Sequence, residues 1–138
     1  MRRRQFTAAL AAMAASGAAA ARAAAAPVPV GAIEILSGPA ATYGIAIRGG
    51  LELQLAHVNE KGVLGGRPIK LTVLDSAADK NQAINAARAL IGRDNVVSII
   101  GPTLSTEMFA VGPVVNGRKI PIIGTSTTAN GITDIGPY

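Results

Sequence analysis

The stretch Val96-Val-Ser-Ile-Ile-Gly-Pro-Thr-Leu-Ser-Thr106 decides the fold predicted for this chain. An apolar run leads into a turn of small residues, and a segment with helix-like character follows. The same order recurs at Ile120-Pro-Ile-Ile-Gly-Thr-Ser-Thr-Thr-Ala-Asn130. Apolar strands that alternate with helices are typical of a parallel sheet covered on both faces. Ligands bind such sheets at the carboxyl ends of the strands.

Four strands and three helices are predicted in alternation, which makes the fold class α/β with a partial doubly wound parallel sheet. The first helix contains Gly49-Gly50, a pair that lowers helix stability and therefore predicts close packing at that point. Asp79-Lys-Asn-Gln82 predicts a capping box at the start of the second helix. The strands are expected at about 31–36, 69–75, 96–100 and 120–124, and the helices at about 42–59, 79–92 and 105–117.

Residues 1–26 are predicted to be an export signal, with arginines first, then an alanine-rich apolar core and Ala-x-Ala cleavage sites. Arg3-Arg4-Gln5-Phe6 fits the twin-arginine pattern, and an ordinary secretory signal is the alternative. The apolar core is too short and too rich in alanine for a membrane span, so no stable membrane anchor is expected. These features predict a periplasmic product.

Charge and composition exclude several classes of partner. Four of the 13 lysines and arginines lie in the predicted signal, which leaves nine against eight acidic residues. No basic stripe interleaves with aromatic residues, so nucleic acid is not expected as a partner. The chain has no cysteine, which removes disulfides, thiolate metal sites and an N-terminal lipid anchor. No cofactor is predicted.

The candidate site consists of hydroxyl groups and backbone N–H groups at the strand ends. The amides of Ser105, Thr106 and Glu107 are expected to be free at the start of a helix, where they form an anion site. A hydroxyl-rich segment that includes Ser126 and Thr128 follows the next strand, and Tyr43 follows the first. Ordinary alternative roles are an N-cap for Ser105, a capped turn for the segment with Ser126 and Thr128, and a surface position for Tyr43. This inventory suits holding a small anionic or zwitterionic molecule.

Other candidates for chemistry are weaker. His57 is the only histidine and has no metal-ligand partner, so a structural or exposed position is expected. Asp75 and Asp79 suit strand-end and N-cap roles better than a cation site. A serine hydrolase would need a base near Ser105 or Ser126 and usually a Gly-x-Ser-x-Gly elbow, which is absent. The chain is therefore not expected to be an enzyme.

Five segments, in order and spacing, resemble the amino-terminal lobe of the type I periplasmic binding proteins, specifically the leucine/isoleucine/valine-binding group that serves ATP-driven uptake transporters. The resemblance covers about 28–138 and implies that 27–138 is an incomplete first lobe. The segments are Ser37-Gly-Pro-Ala-Ala-Thr-Tyr-Gly44, Asn59 to Ile69, Asp75-Ser-Ala-Ala-Asp79, Ile100-Gly-Pro-Thr-Leu-Ser105 and Gly124 to Asp134.

The resemblance implies a role for each site residue. Tyr43 matches an aromatic that packs on the ligand side chain, and Ser105 matches the serine that binds the α-carboxylate. Ser126 matches a residue whose carbonyl accepts from the ammonium group, and Thr128 matches a threonine that contacts both ends of the zwitterion. The family commonly has proline where this chain has Asn130, which loosens the inference about ligand identity.

The function implied is that of an extracytoplasmic receptor for branched-chain or related amino acids, with a membrane permease of the ABC type as its partner. Alternatives on the same fold are a receptor for amides, urea or small aromatic acids, a sensory lobe that dimerises, and an inactive truncated fragment. Because family members close two lobes on the ligand, this chain alone is expected to bind weakly or not at all.

Overall fold

The computed structural model describes residues 26–138, so the predicted export signal lies outside the described residues apart from Ala26. Strands and helices alternate along this part, and a short 3-10 turn, Ile132–Asp134, follows the last strand. None of the three α-helices within residues 26–138 combines the length and the apolar character that a bilayer crossing needs. The elements are β1 (Val28–Glu34), α1 (Ala41–Lys61), β2 (Ile69–Asp75), α2 (Lys80–Gly92), β3 (Ser98–Ile100), α3 (Ser105–Arg118) and β4 (Ile122–Ile123).

The four strands form one parallel sheet in the order β2-β1-β3-β4. β1 pairs with β2 along its whole length, from Val28 opposite Ile69 to Glu34 opposite Asp75. Right-handed crossovers place α1 on one face of this sheet and both α2 and α3 on the other, because the chain reverses its direction across the sheet after β2. The α/β prediction, with a doubly wound parallel sheet, is confirmed.

The main core lies between the sheet and the α2–α3 pair. Ile33 and Ile99 from the sheet pack there with alanines and a leucine of α2 and with valines of α3. The apolar stripes of α2 and α3 face this core, and their members are buried except for the half-buried Ile91. The stripe residues are Ala83, Ala87, Leu90, Ile91, Met108, Val111 and Val115.

Helix α1 covers the opposite face and is less deeply packed. Its apolar positions at near-helical spacing, among them Ile47 and Leu51, are half-buried. The close packing expected at Gly49-Gly50 is wrong, because a Cβ added at either glycine would meet no atom within 4 Å. Close packing occurs instead at Gly44, where an added Cβ would collide with the backbone of Ile35.

The element ends differ from the predicted ones where other hydrogen bonds replace sheet pairing. Ile120 precedes β4, because its N–H donates to the Val115 carbonyl at the end of α3. The capping box predicted for α2 is half formed. The Gln82 N–H donates to Asp79 Oδ1 at 2.8 Å, but the Asp79 N–H donates to the Ser76 carbonyl at 2.8 Å and is not available to the Gln82 side chain.

Candidate functional site

Ser105 is the first residue of α3, and its hydroxyl reaches the segment that follows β4. Ser105 Oγ accepts hydrogen bonds from the Thr128 N–H at 3.0 Å and from the Ala129 N–H at 3.1 Å. The two segments meet because β3 and β4 are adjacent parallel strands, whose carboxyl ends lie at one edge of the sheet. The structure thus brings Ser105 and Thr128 together, while their roles toward a ligand stay predictions.

The start of α3 exposes fewer backbone donors than the sequence predicts. The N-cap residue is Leu104, so the alternative role of Ser105 as a side-chain N-cap is wrong. The Glu107 N–H donates to the Leu104 carbonyl at 3.1 Å and is therefore not free. Within residues 26–138, the N–H groups of Ser105 and Thr106 meet no backbone or side-chain acceptor. The predicted set of three free amides is reduced to two.

Tyr43 and Ser126 lie at the same carboxyl edge without touching Ser105 through a hydrogen bond in the described part of the chain. Tyr43 is in the first turn of α1, the helix that follows β1, and is 66% exposed. Ser126 is exposed. The Thr127 side chain turns back over Gly124, where an added Cβ would overlap it. Tyr43 and Ser126 are therefore open to solvent at this edge.

Beneath this edge lies a buried carboxyl group, that of Glu34 at the end of β1. The Thr103 hydroxyl donates to Glu34 Oε2 at 2.6 Å. The Thr125 hydroxyl lies 3.3 Å from Glu34 Oε1 and 3.2 Å from Oε2. Thr125 Oγ1 is also 3.4 Å from the Pro102 carbonyl oxygen. One side chain of β1 thus contacts the segments that follow both β3 and β4.

A second carboxyl group, that of Glu107, is buried nearby in the first turn of α3. Its Oε2 accepts from the Leu104 N–H at 3.1 Å, whereas its Oε1 meets no polar partner among the described residues. Burial raises the pKa of Glu34, hydrogen bonds from Thr103 and Thr125 oppose that rise, and the charge of Glu107 adds to it. Two carboxyl groups therefore share a desolvated region behind the hydroxyl-rich edge.

The site residues predicted from the sequence do not include Glu34, Glu107 or the threonines that contact Glu34. A signal for Glu34 exists, because it is the only charged residue in the apolar run Gly31-Ala-Ile-Glu-Ile-Leu36. Glutamate is almost never fully buried unless it has hydrogen-bond partners. A charged residue inside a strand of this kind therefore indicates a polar cluster, although it does not say which residues complete it.

Asp75 and Asp79 have the structural roles that the sequence predicts for them. Asp75 Oδ1 accepts from the N–H groups of Leu36 and Ala77, each at 2.8 Å, and so ties the loop after β1 to the loop after β2. Asp79 is the N-cap of α2. His57 is exposed on α1. Residues 26–138 contain no group of three or more potential ligands that could hold a metal ion.

Within residues 26–138, the site offers hydrogen-bond donors and acceptors, and its serine at the start of α3 is not paired with a base. Ser105 Oγ faces two amide N–H donors, whereas a nucleophilic serine needs a base that accepts its proton. The free amides of Ser105 and Thr106 lie at the positive end of the α3 dipole, which favours an anionic group. The arrangement can hold a small molecule by hydrogen bonds.

Comparison with known families assigns the described part of the chain almost completely. The sequence profile described as "Periplasmic binding protein" matches residues 27–137. The Leu/Ile/Val-binding protein homolog 7 of Brucella abortus strain 2308 is 36% identical over 111 residues, covering 80% of this chain and 28% of the relative. The chain thus spans less than a third of the length of this relative.

Solved structures give the same result for the fold. The branched-chain amino acid transporter substrate binding protein LivJ of Streptococcus pneumoniae, in complex with isoleucine, matches with a TM-score of 0.76 at 25% identity, over 79% of this chain and 31% of LivJ. A solute binding protein of an ABC transporter from Rhodopseudomonas palustris BisB5, in complex with 3,4-dihydroxy benzoic acid, matches with a TM-score of 0.73 at 26% identity. This second match covers 81% of the present chain and 30% of that protein.

Proposed function

Because this chain belongs to the periplasmic binding protein family, we propose that it carries one side of a binding site for a branched-chain or related amino acid. The ligand carboxylate lies at the start of α3, against the Ser105 and Thr106 amides. Its ammonium group faces the Ser126–Thr128 segment, and Tyr43 borders the ligand side chain. The intact receptor works outside the cytoplasm and delivers its ligand to an ABC-type permease.

The observation that carries this proposal is the contact of Ser105 Oγ with the Thr128 and Ala129 amides at 3.0 and 3.1 Å. This contact places the start of α3 beside the Ser126–Thr128 segment. One zwitterionic ligand can therefore reach the first with its carboxylate and the second with its ammonium group. A carboxylate that accepts from backbone amides gains roughly 1.5–3 kcal/mol per charge-assisted hydrogen bond. The complex of LivJ with isoleucine supports an amino acid as the ligand class.

A small aromatic acid is the second candidate ligand. It is favoured by the match to the Rhodopseudomonas palustris protein in complex with 3,4-dihydroxy benzoic acid, at a TM-score similar to that of LivJ. Such a ligand shares the carboxylate but lacks the ammonium group. It would therefore use the α3 amides and leave the Ser126–Thr128 segment without a charged partner.

Titration of the full ¹⁵N-labelled chain with L-leucine, followed by amide chemical shifts, tests the proposal. We expect the Ser105 and Thr106 amides to shift with a dissociation constant of roughly 1 mM or weaker, since one side of the ligand stays in water. L-leucinamide, which has no carboxylate, is expected to leave both amides unshifted. 3,4-dihydroxybenzoate is expected to shift Ser105 and Thr106 but not Thr128 if the second candidate applies.

Two serine variants test whether the leucine-dependent shifts depend on the candidate site. Ser105→Ala keeps both backbone amides but removes the hydroxyl that joins the two segments, and it is expected to weaken the leucine-dependent shifts. The matched control Ser98→Ala makes the same change at the amino end of β3 and is expected to retain them. Equal shifts with L-leucine and L-leucinamide would contradict the carboxylate assignment and favour the amide alternative. Leucine-dependent shifts confined to residues remote from Ser105 and Thr128 would contradict the proposed site.

A further inference from the structure

The buried carboxyl group of Glu34 joins three strand ends. It belongs to β1 itself, accepts from the Thr103 hydroxyl at 2.6 Å and contacts the Thr125 hydroxyl at 3.2 Å. The backbone packs tightly around it, because a Cβ added at Gly101 would lie 3.2 Å from Glu34 Oε1 and would overlap the Ile33 carbonyl oxygen. The position of this side chain is therefore fixed from several directions.

The two threonines lie a few residues before Ser105 and Thr128 of the candidate site. Thr103 lies two residues before Ser105, and Thr125 lies three residues before Thr128. Ser105 and Thr128 in turn contact each other through the serine hydroxyl at 3.0 Å. The segments after β3 and β4 are thus joined in the interior through Glu34 and by contacts of Thr125 with the Pro102 carbonyl oxygen at 3.4 Å, and at the exposed edge by Ser105.

We propose that Glu34 is a positioning residue of the candidate site, whose buried carboxyl group clamps the segment after β3 to the segment after β4 and so holds the Ser105 hydroxyl against the Thr128 and Ala129 amides. The meaning of this clamp for ligand binding rests on the proposed function. The clamp itself consists of contacts within the chain. It can therefore be tested without a ligand.

The charges around Glu34 indicate that its carboxyl group can be either ionised or protonated within the clamp. Glu107 on α3 is the charged group that acts on it, and neither carboxyl group pairs with a lysine, arginine or histidine within residues 26–138. An ionised Glu34 accepts from both threonine hydroxyls. A protonated Glu34 can donate to Thr125 Oγ1, whose own proton then turns to the Pro102 carbonyl oxygen 3.4 Å away. Protonation therefore changes the hydrogen bonding of Thr125 without releasing it.

Amide hydrogen exchange of the full chain, measured residue by residue by NMR, tests the clamp. Thr125→Val keeps the side-chain shape but removes the hydroxyl, and we expect the Thr128 and Ala129 amides to exchange roughly fivefold faster, as for the loss of one hydrogen bond. The matched control Thr72→Val makes the same change on β2 and is expected to leave both rates unchanged.

Glu34→Gln tests the protonation states without removing the clamp. Its amide can accept from Thr103 and donate to Thr125, so exchange at Thr128 and Ala129 is expected to match the wild-type rate at pH 7. The wild-type amide shifts of Thr128 and Ala129 are expected to titrate with pH, and this titration is expected to vanish in the variant.

Three results would overturn the proposal. The first is wild-type exchange at Thr128 and Ala129 in Thr125→Val. The second is faster exchange that extends equally to the β1–β2 amides, which would mean a general loss of stability. The third is a pH titration of the Thr128 and Ala129 shifts that persists in Glu34→Gln. Absence of leucine binding with normal exchange effects would instead overturn the proposed function and leave the clamp standing.

Discussion

At the scale of single residues, Glu34 couples the stability of the fold to pH. Its side chain is fully buried, and burial raises its pKa above the ordinary value of 4.5, with the charge of Glu107 adding to a rise that two threonine hydrogen bonds oppose. The folded chain therefore holds this proton more tightly than the unfolded chain does. The favourable contribution is complete below pH 4.5 and is lost as the pH rises through the folded-state pKa.

Glu34→Gln is expected to remove this pH dependence. The variant has no proton to lose, so its free energy of unfolding relative to wild type should increase from pH 4.5 upward and level off above the folded-state pKa of Glu34. Urea unfolding of both proteins at a series of pH values measures the difference. A difference that is constant across this range would show that the pKa of Glu34 is the same in the folded and unfolded chains.

Asp75 acts with the opposite sign and at lower pH. Burial tends to raise its pKa, but hydrogen bonds from Ser37 and from the Leu36 and Ala77 amides outweigh that effect, so the pKa lies below 3.8. Its contribution to stability is present above pH 3.8 and is lost as the pH falls through the folded-state pKa. The two carboxyl groups therefore contribute to different parts of the pH curve.

The site residues differ in how far the sequence could predict them. Ser105 and Thr128 each follow an apolar strand, so parallel pairing alone brings them to one edge. Glu34 lies inside such a strand, and its partners are 69 and 91 residues away in the chain. Local patterns carry no information about contacts at that separation. The start of α3 was predicted, but the prediction of three free amides there is wrong, because the turn at Leu104 uses the Glu107 N–H.

At the scale of elements, the start of α1 depends on a glycine that allows close approach to β1. A Cβ at Gly44 would overlap the backbone of Ile35, and a main-chain atom cannot move aside as a flexible side chain can. Gly49 and Gly50 lie in the same helix with no neighbour that an added Cβ would meet within 4 Å. Only the first of these glycines is required by packing.

Gly44→Ala and Gly50→Ala are therefore expected to have opposite effects on stability. Gly44→Ala should destabilise the chain by about 1–3 kcal/mol, the usual cost of overpacking. Gly50→Ala, the matched control, should stabilise it by up to about 1 kcal/mol, because alanine has the higher helix propensity. Urea unfolding monitored by circular dichroism measures both. Similar effects of the two substitutions would contradict the packing of α1 on β1 through Gly44.

Strands and helices could be predicted because apolar runs and helical spacing are local signals in the sequence. Close packing at a glycine gives no such local signal. A glycine pair within a helix has the same sequence appearance whether it faces the sheet or the solvent. Gly44 lies near the predicted helix start, where glycine is unremarkable. The side of α1 that contacts β1 depends on how the chain crosses from β1 to β2. The order of strands in the sheet decides this, and local sequence does not give that order.

At the scale of the whole molecule, the sheet order places the candidate site at a reversal of topology. The connection from β1 leads to one face of the sheet through α1, and the connection from β3 leads to the other face through α3. The segments after these neighbouring strands diverge, and α/β proteins bind ligands at such a switch point. Tyr43 in α1 and Ser105 in α3 lie on its two sides.

The same sheet order leaves β4 at an edge of the described sheet, with Ile123 71% exposed. An edge strand presents unpaired N–H and carbonyl groups that can pair with another chain, and a charged side chain on the edge opposes such pairing. We expect the chain to self-associate through this edge and Ile123→Lys to reduce the effect. Sedimentation velocity over a range of protein concentrations measures it.

Leu53→Lys provides the matched control for this prediction, because Leu53 is 76% exposed on α1, where helical hydrogen bonding already satisfies the backbone. Both variants gain one positive charge and lose one exposed apolar side chain. If pairing of strand edges drives association, only Ile123→Lys shifts the sedimentation coefficient toward that of the monomer. An equal shift in both variants would mean that exposed apolar area or net charge governs association, and that β4 has no special part in it.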